Sequence, residues 1–485
     1  MDANEAVAPL PGLNLQTARA AARPEPALAP PREPSRSETT RATLLTGPIL
    51  PTLLRLALPT MVVLLAQTAV NIAEAYYVGF LGTDALAGVA LVFPVFMLMT
   101  MMSNGGLGSG VSSAVARAIG AGRKDDADAL VFHAIVLGVI CGALFTFGTL
   151  WGGPALYRSL GGRAEALDAA LKYSNYLFAG AIAVWIVNLQ AAALRGSGNV
   201  RVPATVTLVG ALVMIPASPI LIFGLGPVPR LGIGGAGIAF GVYYGAAMLF
   251  LLRYMAAGRG GLTFKVVPLR VHLFADILKV GVPTAVNTVL TNLTVILVTG
   301  AVGLFGTTAL AAYGIASRLD YVMIPILFGL CTATLTMVGI NIGAGEVMRA
   351  RKIAWVSAFV GLALTGSIGA IVAVHPPLWL NLFSHDAEVL RDGAIYLRIV
   401  APAYAALGFG FVIAFAAQGA GHVFWPFVAS LVRIALAAGC GWLAVGHFGG
   451  GMAALAGMVT ASLIAYAGIC GIVMLSGSVW RLEKR

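Results

Sequence analysis

Residues Gly79 to Ala87 read GFLGTDALA, and Gly303 to Ala311 read GLFGTTALA, the same phrase returning 224 positions later. LPT at Leu58 to Thr60 returns as VPT at Val282 to Thr284 with that shift. IGAG at Ile119 to Gly122 returns at Ile342 to Gly345, and RGSGNVRVP at Arg195 to Pro203 has its counterpart in QGAGHVFWP at Gln418 to Pro426, both shifted by 223. Four matches at nearly one offset mark a duplicated unit. Between these phrases run apolar segments about 20 residues long or longer, enough to cross a bilayer. Their pattern predicts spans near 53–79, 86–116, 130–152, 173–194, 203–225, 233–256, 277–302, 308–340, 352–374, 396–417, 424–446 and 451–477.

Composition agrees with a chain that lives in lipid. It is 59% hydrophobic and 10% charged, where soluble domains carry about 25% charged residues. Sixty glycines suit close helix packing, because small residues let backbones approach in a medium that gives no hydrophobic push. The net charge of +11 does not point to nucleic acid, since the bases fall in short loops between spans. Cys141, Cys331, Cys440 and Cys470 lie within apolar segments and show neither metal nor disulfide spacing, so they are expected to pack as small residues.

Residues 1–47 are different: ARPEPALAPPREPSRSE is rich in proline and lacks an apolar run, which predicts a disordered extension without the apolar core of a signal peptide. The remainder divides into a first six-helix bundle over 48–260, a second over 261–478, and a short tail over 479–485. Twelve spans put both ends on one side. Outside the extension, 17 Lys and Arg lie on the side of the termini and six on the other, so the positive-inside rule predicts cytoplasmic termini.

Six spans per half is an even number, so the halves share one orientation and are related by an axis along the membrane normal. Parallel repeats of this kind are a transporter architecture, with substrate held between halves that rock against each other.

Read together, LALPT opening the first span, VGFLGTDALAG after it, LRGSGNVRVP after the fourth, and FGTTALAAYGIASR and NIGAGEVMRARK in the second half resemble the multidrug and toxic compound extrusion (MATE) family, prokaryotic and nearest its DinF-like branch. The resemblance covers roughly residues 50 to 477. It implies an all-α membrane fold of twelve transmembrane helices, two six-helix bundles in a V, that exchanges cationic or amphiphilic organic compounds for H⁺ or Na⁺. The expected setting is a bacterial inner membrane, with the lipid bilayer and small organic cations as partners, no cofactor beyond the transported ion, and a monomeric chain.

Glu74 matches the family position at which many prokaryotic members carry a coupling aspartate in the pattern N-x-x-D. Gln67, Asn71 and Glu74 share one helix face by their i, i+4, i+7 spacing. A carboxylate in mid-span costs about 2.5 to 3.5 kcal/mol on insertion scales and almost always faces a bundle interior or a watery cavity. Burial disfavours its charged form and a nearby cation favours it, so proton and cation would compete there.

Two departures from the branch bear on the ion. Met214 and Ser218 stand where the branch often has Asn and Asp in the fifth helix, and Thr291 stands where the sodium-coupled branch has a glutamate in the seventh. Fewer carboxylates make a poorer cage for Na⁺, so protons are the expected coupling ion and Na⁺ the alternative.

Tyr77 and Asn188 are further candidate cavity residues, and Asn287, Thr291 and Thr294 form a polar stripe on the seventh span, where Val298 stands at the repeat position of Glu74. Asp320 is the other acid inside a predicted span. Arg433 is its candidate partner, in a structural pair or a second cation site. A lipid-linked precursor flippase would want several cavity arginines, and the spans as drawn contain Arg318 and Arg433. An enzyme would need a nucleophile with its base, or metal ligands, on facing helices, and no such arrangement is legible. RGSGN and QGAGH follow helices as glycine caps do, without the strand, lysine and helix of a phosphate loop.

Overall fold

A computed structural model describes residues 36–224 and 229–480. Described residues are helical in order: α1 (Arg36–Thr46), α2 (Ile49–Gly79), α3 (Thr83–Met101), α4 (Gly108–Gly120), α5 (Lys124–Ser159), α6 (Ala164–Ala179), α7 (Ala181–Gly196), α8 (Arg201–Phe223) and α9 (Ile233–Ala256) form the first half. The second comprises α10 (Val271–Gly303), α11 (Thr307–Gly343), α12 (Val347–Val374), α13 (Pro377–Leu380), α14 (Ala387–Val400), α15 (Tyr404–Ala420), α16 (Phe424–Ile434), α17 (Gly441–Gly446) and α18 (Met452–Leu475). Among the described residues, eleven helical segments are long and apolar enough to cross a membrane, and the pair α6 and α7, bent by 49°, makes a twelfth when taken as one span. The fourth span therefore starts near Ala164 and breaks at Gly180, because Gly180 sits beside the α-carbon of Gly241 and the chain turns there. Its repeat counterpart is interrupted too, by a 3-10 turn over Ala401–Ala403.

The two halves are joined by a pseudo-twofold contact that the repeat phrases build. A methyl group on Gly120 would overlap the carbonyl oxygen of Ile340, and one on Gly343 would overlap that of Arg117. Each residue of the first pair is 223 positions from its equivalent in the second. The hydroxyl of Ser113 donates to the carbonyl of Gln418, while Thr336 Oγ1 donates to the carbonyl of Arg195 across 3.1 Å, and these again are equivalents. Such isologous pairing is what a twofold axis between the halves requires.

These close approaches fall toward the face that carries the termini. Gly106 meets Ala285, Gly110 meets Gly281 and Gly329 meets Met61, and α10 packs along α4 and the turn Met102–Leu107 before it but scarcely touches α3, the distal part of the same span. The halves are therefore shut at the terminal face and separate toward the distal face, a V open on the distal side.

Two further features hold the terminal face. Where composition predicted disorder, Arg36–Thr46 forms α1, because Leu44, 2% exposed, finds an apolar seat between the halves. Arg41 Nη2 donates to the carbonyl of Gly120 (2.8 Å), and Asn341 Nδ2 donates to that of Leu44 (3.2 Å), so α1 is tied to both halves. The rest of the expected disordered extension, residues 1–35, and the tail from 481 lie outside the described residues. The link between halves is pinned by α5: Thr263 N–H donates to Asp128 Oδ1 (2.8 Å) and Arg270 N–H donates to Nε2 of the fully buried His133 (2.8 Å).

Candidate functional site: two polar centres in the first bundle

The second span is not a uniform helix. Between α3 and α4 the residues Met102–Leu107, MSNGGL, form a π-turn, where Gly105 and Gly106 weaken helical preference and Gly106 must accommodate Ala285. Single π-turns inside α-helices are frequent at functional sites. This one turns Ser103 and Asn104 toward the fourth span: Asn188 Nδ2 donates to Ser103 Oγ (2.7 Å) and Arg195 Nη2 donates to Asn104 Oδ1 (2.6 Å).

Around that turn lies a narrow polar cavity within the first bundle, lined among others by Gln67, Asn104, Asn188, Arg195, Thr207 and Tyr243. Gln67 and Asn188, both expected to line a cavity, are brought together here. By its position at a span end Arg195 reads as one of the bases on the side of the termini, and instead it turns inward to Asn104. The one legible sign was in the repeat, where Arg195 stands opposite the uncharged Gln418.

About seven residues along α2 from Gln67, roughly 10 Å at 1.5 Å per residue, is Glu74. It is 5% exposed and points into the first bundle, with the phenol of Tyr173 on α6 as its hydrogen-bonding neighbour and Oε1 without a partner. The carboxyl is thus withdrawn from lipid. Met214 and Ser218 on α8 are buried in the same bundle, and Ser218 Oγ also lacks a partner. Asn71 and Tyr77 are half-buried, with Tyr77 packed on the first bundle's core.

In the other half, Thr291 Oγ1 and Thr294 Oγ1 donate to the carbonyls of Asn287 (3.0 Å) and Leu290 (2.8 Å) on their own helix, and Asn287 Oδ1 is buried without a partner. The stripe thus spends its hydroxyls on backbone. Asp320 has the phenol of Tyr404 as its hydrogen-bonding neighbour and feels the charge of Arg433, the expected partner. Tyr396, the repeat equivalent of Tyr173, also lies beside Asp320, so each half sets an acid against the same tyrosine but supplies it from a different helix. Arg433 lies over the ring of Tyr466 (5.9 Å), and Arg318 over that of Phe383 (5.3 Å).

The profile of the MatE family matches residues 59–220 and 283–443, one block in each half. The chain belongs to the MATE family. Members of the family are multidrug efflux transporters, not enzymes. Similar relatives include a protein of Shewanella oneidensis named as an FAD transporter, 26% identical over 81% of this chain and 87% of its own length. A probable multidrug resistance protein of Bacillus subtilis, YoeA, is 28% identical over 73% and 78%. Among solved structures, a MOP superfamily transporter of Pyrococcus furiosus, described as having a binding pocket of reversed polarity that suggests a different function, superposes with a TM-score of 0.83 at 25% identity, covering 94% of this chain and all of that one. A MATE transporter in its outward-facing conformation gives 0.81 at 25% identity, covering 92% and 98%.

Proposed function

We propose that this MATE transporter is a secondary antiporter of the bacterial inner membrane that exports amphiphilic organic compounds, cationic ones first, in exchange for protons bound at Glu74. The excess of Lys and Arg on the terminal face supports cytoplasmic termini, and the open distal face is then external. The observation that carries the reading is Glu74 itself: a carboxyl withdrawn into the first bundle, beside a phenol and with one oxygen free, has no basic side chain acting on it. It can switch between a neutral, protonated form and a charged form balanced by a cation. Export then follows by exclusion. A proton from outside discharges the site and releases the cation, and the proton leaves inward once the halves have rocked.

One carboxylate and one phenol supply fewer oxygens than Na⁺ takes up, which supports the proton over sodium. Pro59, inside α2, offers a bend point on the helix that carries the acid. The Bacillus relative's name supports drug cargo, and the Shewanella relative's supports a wider range of organic cargo that includes a phosphate-bearing dinucleotide. The test is efflux of a fluorescent organic cation from vesicles under an imposed pH gradient with Na⁺ omitted. The parent should export and Glu74→Gln should not. Efflux that requires Na⁺ and ignores the pH gradient would falsify proton coupling.

A further inference from the structure

Arg195 is the group that the coupling scheme leaves unused. Its guanidinium has five N–H donors, of which one is spent on Asn104 Oδ1, and no acidic side chain acts on it. Fourteen residues line the cavity it faces, and none is Asp or Glu. Instead the walls carry Gln67, Tyr243 and Asn188, whose amide gives one N–H to Ser103, while the Thr207 hydroxyl is given to the carbonyl of Pro203.

A cation at the end of a helix has an ordinary explanation, since it complements the partial negative charge of the last carbonyls. The pseudo-twofold axis allows the two helix ends to be compared directly. Gln418 ends α15 in the equivalent place, and its carbonyl accepts from Ser113 as that of Arg195 accepts from Thr336. There the charge comes from a neighbouring helix: the guanidinium of Arg117 on α4 donates to Ser113 Oγ and lies against Gly421, just past the end of α15. Nor does the second half repeat the receiving side: α11 runs as ordinary helix past Leu327 and Phe328, the positions opposite Asn104 by the two repeat offsets, where the first half has its π-turn. The difference lies in where the guanidinium goes: Arg117 is given to the serine that closes a helix end, and the π-turn of the second half, Ala435–Cys440, lies in another span, whereas Arg195 turns to the amide presented by the π-turn of the second span, beside an acid-free cavity. An ionisable group inside a membrane protein is costly enough to mark a ligand path when no counter-charge accompanies it.

We propose that Arg195, with Asn104 orienting it and Asn188 beside it, forms a subsite for an oxyanion group, a phosphate or carboxylate carried by an amphiphilic cargo. Guanidinium recognises such groups through paired, charge-assisted hydrogen bonds. The cavity is narrow with the terminal face shut, so the group enters when that face opens and is carried between the halves. Glu74, about 10 Å farther along the same bundle, stays free to handle the proton. The inference rests on the transporter reading of this bundle but not on its coupling ion, and a binding measurement separates the two.

The probes are riboflavin and riboflavin 5′-phosphate, which share an aromatic body and differ by one phosphate, titrated into the purified full-length protein and followed by flavin fluorescence. The parent should bind the phosphate form at least about tenfold more tightly, the range expected of a charge-assisted hydrogen bond. Arg195→Gln, which copies the residue of the second half, should keep the parent's melting temperature and lose the preference. Displacement of the bound phosphate flavin by inorganic phosphate would mark a free oxyanion, and displacement only by short-chain phosphatidylglycerol a lipid headgroup; either supports the subsite. Equal binding of the two flavins, binding of neither, or a preference that survives in Arg195→Gln overturns it. Failure of Glu74→Gln to abolish pH-driven efflux would leave these outcomes untouched.

Discussion

The α-carbon of Gly120 lies against the carbonyl oxygen of Ile340, and the closed terminal face is built on this contact and its repeat partner, Gly343 against Arg117. Both neighbours are backbone, so neither can swing away from an added side chain. Gly120→Ala is expected to lower stability by about 1 to 3 kcal/mol, the usual cost of overpacking. It should also open the terminal face, raising maleimide labelling of a cysteine placed at the buried Ala116. A melting temperature and labelling rate equal to the parent's would show that the halves do not meet here. Because both contacts share one interface, adding Gly343→Ala should cost less than the sum of the single changes.

Asp320 and Arg433 are expected to be a structural pair. Asp320→Asn removes the charge that Arg433 senses; the two are not in ion-pair contact and Asp320 Oδ1 has no partner, so the cost should be about 1 to 3 kcal/mol, that of disturbing a buried polar group. Thermal unfolding should show the loss, while vesicles normalised for folded protein keep their pH-driven efflux. Loss of efflux with an unchanged melting temperature would make Asp320 a second ion site instead.

The seat of α1 depends on Leu44. Leu44→Ala should cost about 2 kcal/mol, at the low end for a buried leucine, because the site is near the surface and can partly collapse. The visible effect should be faster proteolysis between Arg36 and Gly47 with the rest of the chain intact. Cleavage no faster than in the parent would mean that the main-chain bonds to Arg41 and Asn341 hold the helix without this side chain.

His133 serves two bonds at once, one to the carbonyl of Ala129 through Nδ1 (2.8 Å) and one from the N–H of Arg270 through Nε2 (2.8 Å). Only the neutral ring with its proton on Nδ1 can do both. His133→Ala should leave the Arg270 N–H without its partner, costing about 1 to 3 kcal/mol. Hydrogen exchange at Arg270 and Thr263 should rise while the cores of the two bundles keep their protection. Uniformly raised exchange would point to global destabilisation and not to a freed linker.

Much of this architecture can be read from the chain alone, because lipid allows so few solutions. Apolar length fixes where helices cross, and an even-numbered repeat fixes how the halves are related; the equivalence of Gly120 and Gly343 was already written in two copies of IGAG. Glu74 was legible for the same reason, since an acid amid apolar residues is conspicuous. Arg195 was not, because a base at the end of a span reads as a side chain reaching for water. Only the packed bundle shows it turned inward to Asn104, on a π-turn that no periodicity reports. Helix breaks at Gly180, the seat of α1 and the neighbours of Asp320 belong to the same class: each is decided by what lies across from it in space, information that hydropathy along one strand of sequence does not carry.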